Sequence, residues 1–348
     1  MSGQLGSETL AAPYSYELPR ESIAQRPVHP PESARMLVVS RATGEIFHSV
    51  FADIGQFLKR EDRLVFNETK VIPARLFGQA AGSDVEILLV EQLSASRWLC
   101  LGRPLKRVKA AGLIVFGESL KAEVVPSEHV DRVTLEFSAT DPGRALAEVM
   151  QERGTMPIPP YIRSGHGDEQ DRTDYQSIFA NKEGSIAAPT ASLHFSEALM
   201  AKLRQSPGCE VSRVTLHVGT ASFQPIVVDG VLRPPSEERF EVSPAVMAEL
   251  REVRQNGGRV VSVGTTTTRA LETAARGEIS GDRTGLFIQP GFKFEVVDAL
   301  VTNFHQPGTT HLLLVEALLG RDLLQRCYTQ ALAGGYRFLS YGDGMLIV

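Results

Sequence analysis

The sequence predicts an α+β protein in which a β-rich middle segment is inserted into one larger domain. Three features predict it. Short β-type runs recur at regular spacing between residues 85 and 137, separated by polar or Gly turns, which is the texture of a small antiparallel barrel or sandwich. The proline-rich run Met156-Pro157-Ile158-Pro159-Pro160-Tyr161 then marks a rigid return of the chain. Beyond it, strand and helix patterns alternate to the C-terminus. The expected division is a disordered tail over 1–12, a discontinuous main domain over 13–76 and 154–348, and an inserted β-barrel domain over 77–153.

Each element follows from a local pattern. Residues 36–40 and 45–50 read as a hairpin around Thr43-Gly44, and 53–60 as a short helix. Residues 65–76 read as a strand, a polar turn and a second extended piece, where Pro73 argues against a central strand position. In the middle segment, strands are expected over 85–90, 97–101, 113–116, 122–125 and 132–137, then a helix over 142–153. Residues 165–174 are polar and read as an exposed loop. Helices are expected over 196–205, 244–256 and 267–275, and strands over 211–218 and 259–263. Arg259-Val260-Val261-Ser262-Val263 is the clearest buried strand.

Composition narrows the class. The 348 residues carry a formal net charge of −5, which argues against attachment to nucleic acid by bulk charge and leaves room for a local basic patch. Cys100, Cys209 and Cys327 are odd in number and widely spaced, so neither a zinc cluster nor a disulfide framework is expected, and a reducing compartment fits. The start of the chain lacks a signal-peptide pattern and there is no long apolar run, so a cytoplasmic protein is expected. The eight histidines show no metal-ligand spacing, and His305 and His311 are too far apart for one helical face, so no metal is expected.

Several segments have the makings of a site. Gly264-Thr265-Thr266-Thr267-Thr268-Arg269 follows the buried strand and opens a helix, an arrangement that suits an anion. Capping alone explains the threonines equally well. Ala187-Ala188-Pro189-Thr190-Ala191-Ser192-Leu193-His194-Phe195 is a small-residue loop through which backbone can approach a ligand. His217 lies among apolar neighbours and reads either as a satisfied core histidine or as a site residue at a strand end. Thr302-Asn303-Phe304-His305 precedes an apolar helix, as an elaborate cap or a pocket wall. Asp343, in Tyr341-Gly342-Asp343-Gly344, is either a turn residue or a site carboxylate. Arg103, Lys106, Arg107 and Lys109 form the one dense basic run, a solvated loop by default and a phosphate contact in the functional reading.

Taken in order, these segments resemble one family, the S-adenosylmethionine:tRNA ribosyltransferase-isomerases (QueA). The likeness runs from about Tyr14 to the C-terminus. It rests on Tyr16-Glu17-Leu18-Pro19, Val65 to Leu76, Arg103-Pro104, Pro159-Pro160-Tyr161-Ile162, Ala188-Pro189-Thr190-Ala191 with Leu193-His194-Phe195, and Thr215-Leu216-His217-Val218-Gly219. Gly264-Thr265-Thr266 with Arg269, Thr302-Asn303-Phe304-His305, and Ser340-Tyr341-Gly342-Asp343 complete it.

The resemblance implies a larger domain with a distorted β-barrel and flanking helices, plus the smaller inserted antiparallel barrel. It also implies that S-adenosylmethionine gives its ribosyl group to 7-aminomethyl-7-deazaguanine at the wobble position of tRNA. Epoxyqueuosine, adenine and methionine are the products, so the donor is a consumed substrate and no recycled cofactor is expected. The expected partners are tRNA, met at its anticodon region, and S-adenosylmethionine, with the protein working as a monomer away from membranes.

That chemistry calls for acid–base groups, and His194, His217, His305, Asp343 and Glu238 are the candidates. Thr190, Thr265, Thr266, Arg269 and Asn303 are candidates for holding the donor, with Phe195, Phe223 or Tyr341 facing its sulfonium. The basic run is the candidate tRNA contact. Where the family carries His-x-x-His-x-Glu, this chain has Arg233-Pro234-Pro235-Ser236-Glu237-Glu238. Thr220-Ala221-Ser222 and Ser192 also depart from the family pattern. Two other readings follow from those differences: transfer to another acceptor, or an RNA-binding relative without catalysis.

Overall fold

The structure is a computed structural model that describes residues 15–219, 227–228, 231–232, 234–277 and 282–348. Its larger part is a nine-stranded mixed sheet. The strand order is Arg283–Thr284, Glu238–Glu241, Glu210–Leu216, Arg63–Asn67, Val260–Val263, Ala299–Asn303, Gly344–Ile347, Arg35–Val39 and Ile46–Val50. The four strands from Glu210–Leu216 to Ala299–Asn303 are mutually parallel. Parallel strands need both faces covered, which is why Val260–Val263 is buried at every position, with Ser262 as its one polar residue.

Alternation along the strands sends side chains to two cores. On one face, Leu64, Phe66, Val261 and Val263 pack with the helix Glu197–Gln205 and with Phe51 and Ile54 of the short helix Phe51–Phe57. On the other, Val65, Leu216 and Val260 pack with the helices Pro244–Gln255 and Thr265–Ala275. A third cluster joins Leu300, Phe338 and Ile347 to the helices Thr310–Leu319 and Arg321–Ala333.

The smaller part is a closed antiparallel barrel of six strands: Arg75–Ala80, Ser83–Gln92, Arg97–Arg103, Leu113–Phe116, Leu120–Val125 and Val133–Ala139. Val85, Ile87 and Leu89 alternate inward along the longest strand. Gly78 cannot be replaced without strain, because a Cβ there would come within 2.6 Å of the Phe116 ring. The helix Leu146–Arg153 seals the barrel through Val149 and Met150.

Two local expectations change. The short helix expected over 53–60 is a 3-10 helix that begins and ends earlier, at Phe51–Phe57. The basic run is not a loop: past Pro104 it winds into the helix Leu105–Ala110, whose Val108 is fully buried. Burial of that one apolar residue gives the run its helical face, leaving Arg103, Lys106, Arg107 and Lys109 outside. Among the described residues, no helix is long and apolar enough to cross a membrane.

Candidate active site

The sheet places one cavity at the ends of its parallel strands, where open α/β sheets bind ligands. Val260–Val263 ends at Gly264, whose φ of 96° turns the chain into the helix Thr265–Ala275. Ala299–Asn303 ends beside it. Thr190, Thr265, Thr266, Asn303, His305 and His311 line the cavity, together with Tyr161 and Tyr175. Among the described residues that line it, none has a charged side chain.

The helix tip is left open to a ligand. Gly264 supplies no side-chain cap. The Thr267 and Thr268 hydroxyls turn back to Val263 O at 2.7 Å and Ser262 Oγ at 2.9 Å. Thr266 Oγ1 accepts from Asn67 Nδ2 at 3.3 Å, and Thr265 Oγ1 pairs with His311 Nδ1 at 2.9 Å. A helix start whose first N–H groups lack a side-chain cap is a site for a carboxylate or phosphate.

Two histidines meet at this tip. The rings of His305 and His311 stack with centroids 5.2 Å apart. His305 Nε2 pairs with Thr302 Oγ1 at 2.7 Å. Burial pushes both imidazoles toward the neutral form: His305 lies well below its ordinary value, helped by His311, and His311 falls to about 4, helped by the Arg269 charge.

Asn303 forms the floor. Its Nδ2 donates to Leu339 O at 3.1 Å and meets His194 Nε2 at 3.2 Å. Its Oδ1 is buried without a protein partner. Leu339 lines the same cavity at φ 69°, a conformation that costs a bulky residue about 1–3 kcal/mol and that concentrates at functional sites.

The structure thus brings together Thr190, Thr265, Thr266, Asn303 and His305. The other candidates lie elsewhere. His194 sits behind Asn303, stacked flat on Phe51 at 3.9 Å, and burial lowers it to about 3. Phe195 belongs to the core, edge-on to Phe66 at 4.9 Å. Arg269 is bound to the Glu238 carboxylate and donates to Leu286 O and Thr284 O, so its guanidinium is not turned to the cavity. Tyr341 donates to Asp171 Oδ1 at 2.9 Å. The Asp343 carboxylate accepts the backbone N–H groups of Arg35 at 2.9 Å and Arg337 at 2.7 Å, which makes it a structural clamp for the chain end. Phe223, Thr220, Ser222 and Arg233 lie outside the described residues.

His217 and Glu238 line a second cleft, between the sheet and the barrel, together with Trp98, Arg132, Glu183 and Ser236. His217 Nδ1 pairs with Thr69 Oγ1 at 2.9 Å, and burial lowers its pKa. Glu238 also accepts Gly219 N at 2.8 Å. Val218 borders both cavities. On the barrel, Lys109 is used internally: its ammonium donates to His129 O at 2.7 Å and Val130 O at 2.9 Å.

The sequence reading missed His311, Tyr161 and Tyr175. The spacing of His305 and His311 rules out one shared helical face, and the two do not share one: the helix begins only at Thr310, after the Thr309 cap, so His305 precedes it and the chain folds back to stack the rings. The cap residue was the available signal. Among the described residues, no group of three or more His, Cys, Asp or Glu is placed to hold a metal.

A mixed sheet with a closed barrel beside it, and a cavity that gathers a helix tip, a histidine pair and a buried amide with no charged side chain among its described lining, have the make-up of an enzyme site. The sequence pattern of queuosine biosynthesis proteins matches residues 11–347, and the chain belongs to that family. It is 43% identical to the S-adenosylmethionine:tRNA ribosyltransferase-isomerase of Symbiobacterium thermophilum, over 96% of this chain and 98% of that one. It is 42% identical to the protein of the same name from Thermotoga petrophila, with the same coverage. The crystal structure of S-adenosylmethionine tRNA ribosyltransferase from Thermotoga maritima superposes with a TM-score of 0.53 at 35% identity, covering 96% of this chain and 99% of that one.

Proposed function

We propose that the chain transfers and isomerises the ribosyl group of S-adenosylmethionine onto 7-aminomethyl-7-deazaguanine at the tRNA wobble position, releasing adenine and methionine and leaving epoxyqueuosine. The cavity at the tip of Thr265–Ala275 carries the reading, because it joins an anion site to neutral imidazoles without a charged side chain among its described lining. It suits a donor that brings its own positive sulfur and its own carboxylate.

In this reading the methionine carboxylate rests on the helix tip at Thr265 and Thr266, with Thr190 and Asn303 completing the donor site. The sulfonium faces the cavity aromatics Tyr161 and Tyr175 rather than Phe195 or Tyr341. His305 and His311, held neutral, are the groups able to take a proton from the carbon beside the sulfur. The acceptor base enters from the side of Val218, where His217 and Glu183 border the second cleft. Arg103, Lys106 and Arg107 contact anticodon-region phosphates. The protein acts as a cytoplasmic monomer and consumes the donor without a recycled cofactor.

The test is adenine release from labelled S-adenosylmethionine. Release that depends on tRNA carrying the aminomethyl base is expected. Release only with a different acceptor, or tRNA binding with no release, would overturn the reading.

A further inference from the structure

We propose that Asn303 reads the α-ammonium of the donor's amino-acid end, and that His194 is the positioning residue that aims it. The inference rests on the cavity being the donor site.

The orientation of the Asn303 amide is fixed by its partners. Leu339 O can only accept, so the Asn303 atom facing it is the NH2 group. The second N–H of that group points to His194 Nε2, which therefore accepts and carries its proton on Nδ1. His194 is itself held by flat stacking on Phe51. Leu339 is held at positive φ with its carbonyl on Asn303. Two constrained neighbours thus lock a side chain only 2% exposed, and the lock leaves Oδ1 unfilled. A buried acceptor without a partner is unfavourable unless a ligand donor supplies one.

The position of Oδ1 selects the donor group. Val263 and Val301 are partners in parallel strands, and two residues beyond each lie Thr265 at the helix tip and Asn303. A site for an anion and an unfilled acceptor therefore stand side by side on neighbouring strand ends. An α-amino acid presents its carboxylate and its ammonium from one carbon, which matches that juxtaposition. With no acidic side chain among the described lining residues, a neutral amide oxygen is the group placed to receive the ammonium.

Calorimetric titration of the full chain with three ligands tests this. They are S-adenosylhomocysteine, its analogue with hydrogen in place of the α-amino group, and 5′-methylthioadenosine, which lacks the amino-acid end. The wild type is expected to bind S-adenosylhomocysteine about tenfold to a hundredfold more tightly than the analogue. Asn303→Ala should abolish that preference. His194→Phe, which keeps the stack and removes the acceptor nitrogen, should reduce it severalfold. Neither variant should change 5′-methylthioadenosine binding. Equal affinity of the wild type for the first two ligands would overturn the proposal without any variant. Equal weakening of all three ligands by Asn303→Ala would also overturn it, because Oδ1 would then serve the nucleoside or the fold. If the wild type binds none of the three, the donor reading of the cavity itself falls.

Discussion

The Arg269 guanidinium and the Glu238 carboxylate form an ion pair in which both side chains are almost wholly buried. It ties the helix Thr265–Ala275 to the strand Glu238–Glu241, and Arg269 also holds the chain at Thr284 and Leu286. Removing one partner leaves the other charged and buried, which costs about 3–5 kcal/mol. Arg269→Met and Glu238→Gln should each lose stability of that order in urea denaturation. The folded fraction of Arg269→Met should bind S-adenosylhomocysteine within about threefold of wild type, a shift below 1 kcal/mol. A stable variant that has lost donor affinity would return Arg269 to the ligand site.

The same pair shows what the sequence can and cannot tell. Element types were legible because their patterns are local: the valine-rich run Val260–Val263, the regularly spaced β-type runs of the barrel and the prolines of 157–160 each punctuate the chain where they stand. The segments of the cavity were legible too, since Thr265, Asn303 and His305 sit where strands give way to helices. Roles within those segments were not legible. Arg269 is one turn past the tip, and only the three-dimensional position of Glu238 turns it away from the cavity. Asp343 is a carboxylate near the site in sequence order, yet two backbone N–H groups 308 and 6 residues away occupy it. Partners at such separations leave no periodic trace in the chain.

The stacked pair His305 and His311 should dominate catalysis. General acid–base groups contribute about 10²- to 10⁴-fold. Substitution of either by Gln should lower kcat for adenine release by at least the smaller of these factors, with KM for the donor changed far less. Because burial lowers His311 to about 4 and holds His305 well below its ordinary value, both rings stay neutral from pH 6 to 8, and the acid limb of kcat should fall near pH 4 rather than 6.5. A limb centred at 6.5 would place the working base outside this pair.

Acid sensitivity of the fold follows from His194. Its folded-state pKa of about 3 lies below the value of about 6.5 in the unfolded chain. Between those pH values the unfolded chain takes up a proton that the folded one does not, so stability falls as pH falls, by up to about 1.4 kcal/mol per pH unit. Above pH 6.5 this contribution is complete and flat. Urea midpoints between pH 7 and pH 4.5 should therefore drop less steeply for His194→Phe than for wild type. Parallel curves would mean that His194 takes up its proton in the folded protein.

The basic helix Leu105–Ala110 offers the cleanest separation of tRNA contact from chemistry. Lys106 and Arg107 are exposed on the barrel, Arg107 with one long bond of 3.4 Å to Asp84 O, whereas Lys109 is committed to the carbonyls of His129 and Val130. Each phosphate contact releases condensed counterions, so removing one reduces the slope of log affinity against log salt by about one. Replacing Lys106 and Arg107 together by Ala should lower that slope by about one to two for anticodon stem-loop binding, and should leave S-adenosylhomocysteine affinity unchanged. Lys109→Ala should instead act on stability, through the segment it holds at residues 129–130. If the double variant keeps the wild-type slope, the tRNA lies on another face of the barrel. Arg132 and Arg239, two of the three arginines that line the second cleft, are then the next to replace, because that cleft shares Val218 with the donor cavity.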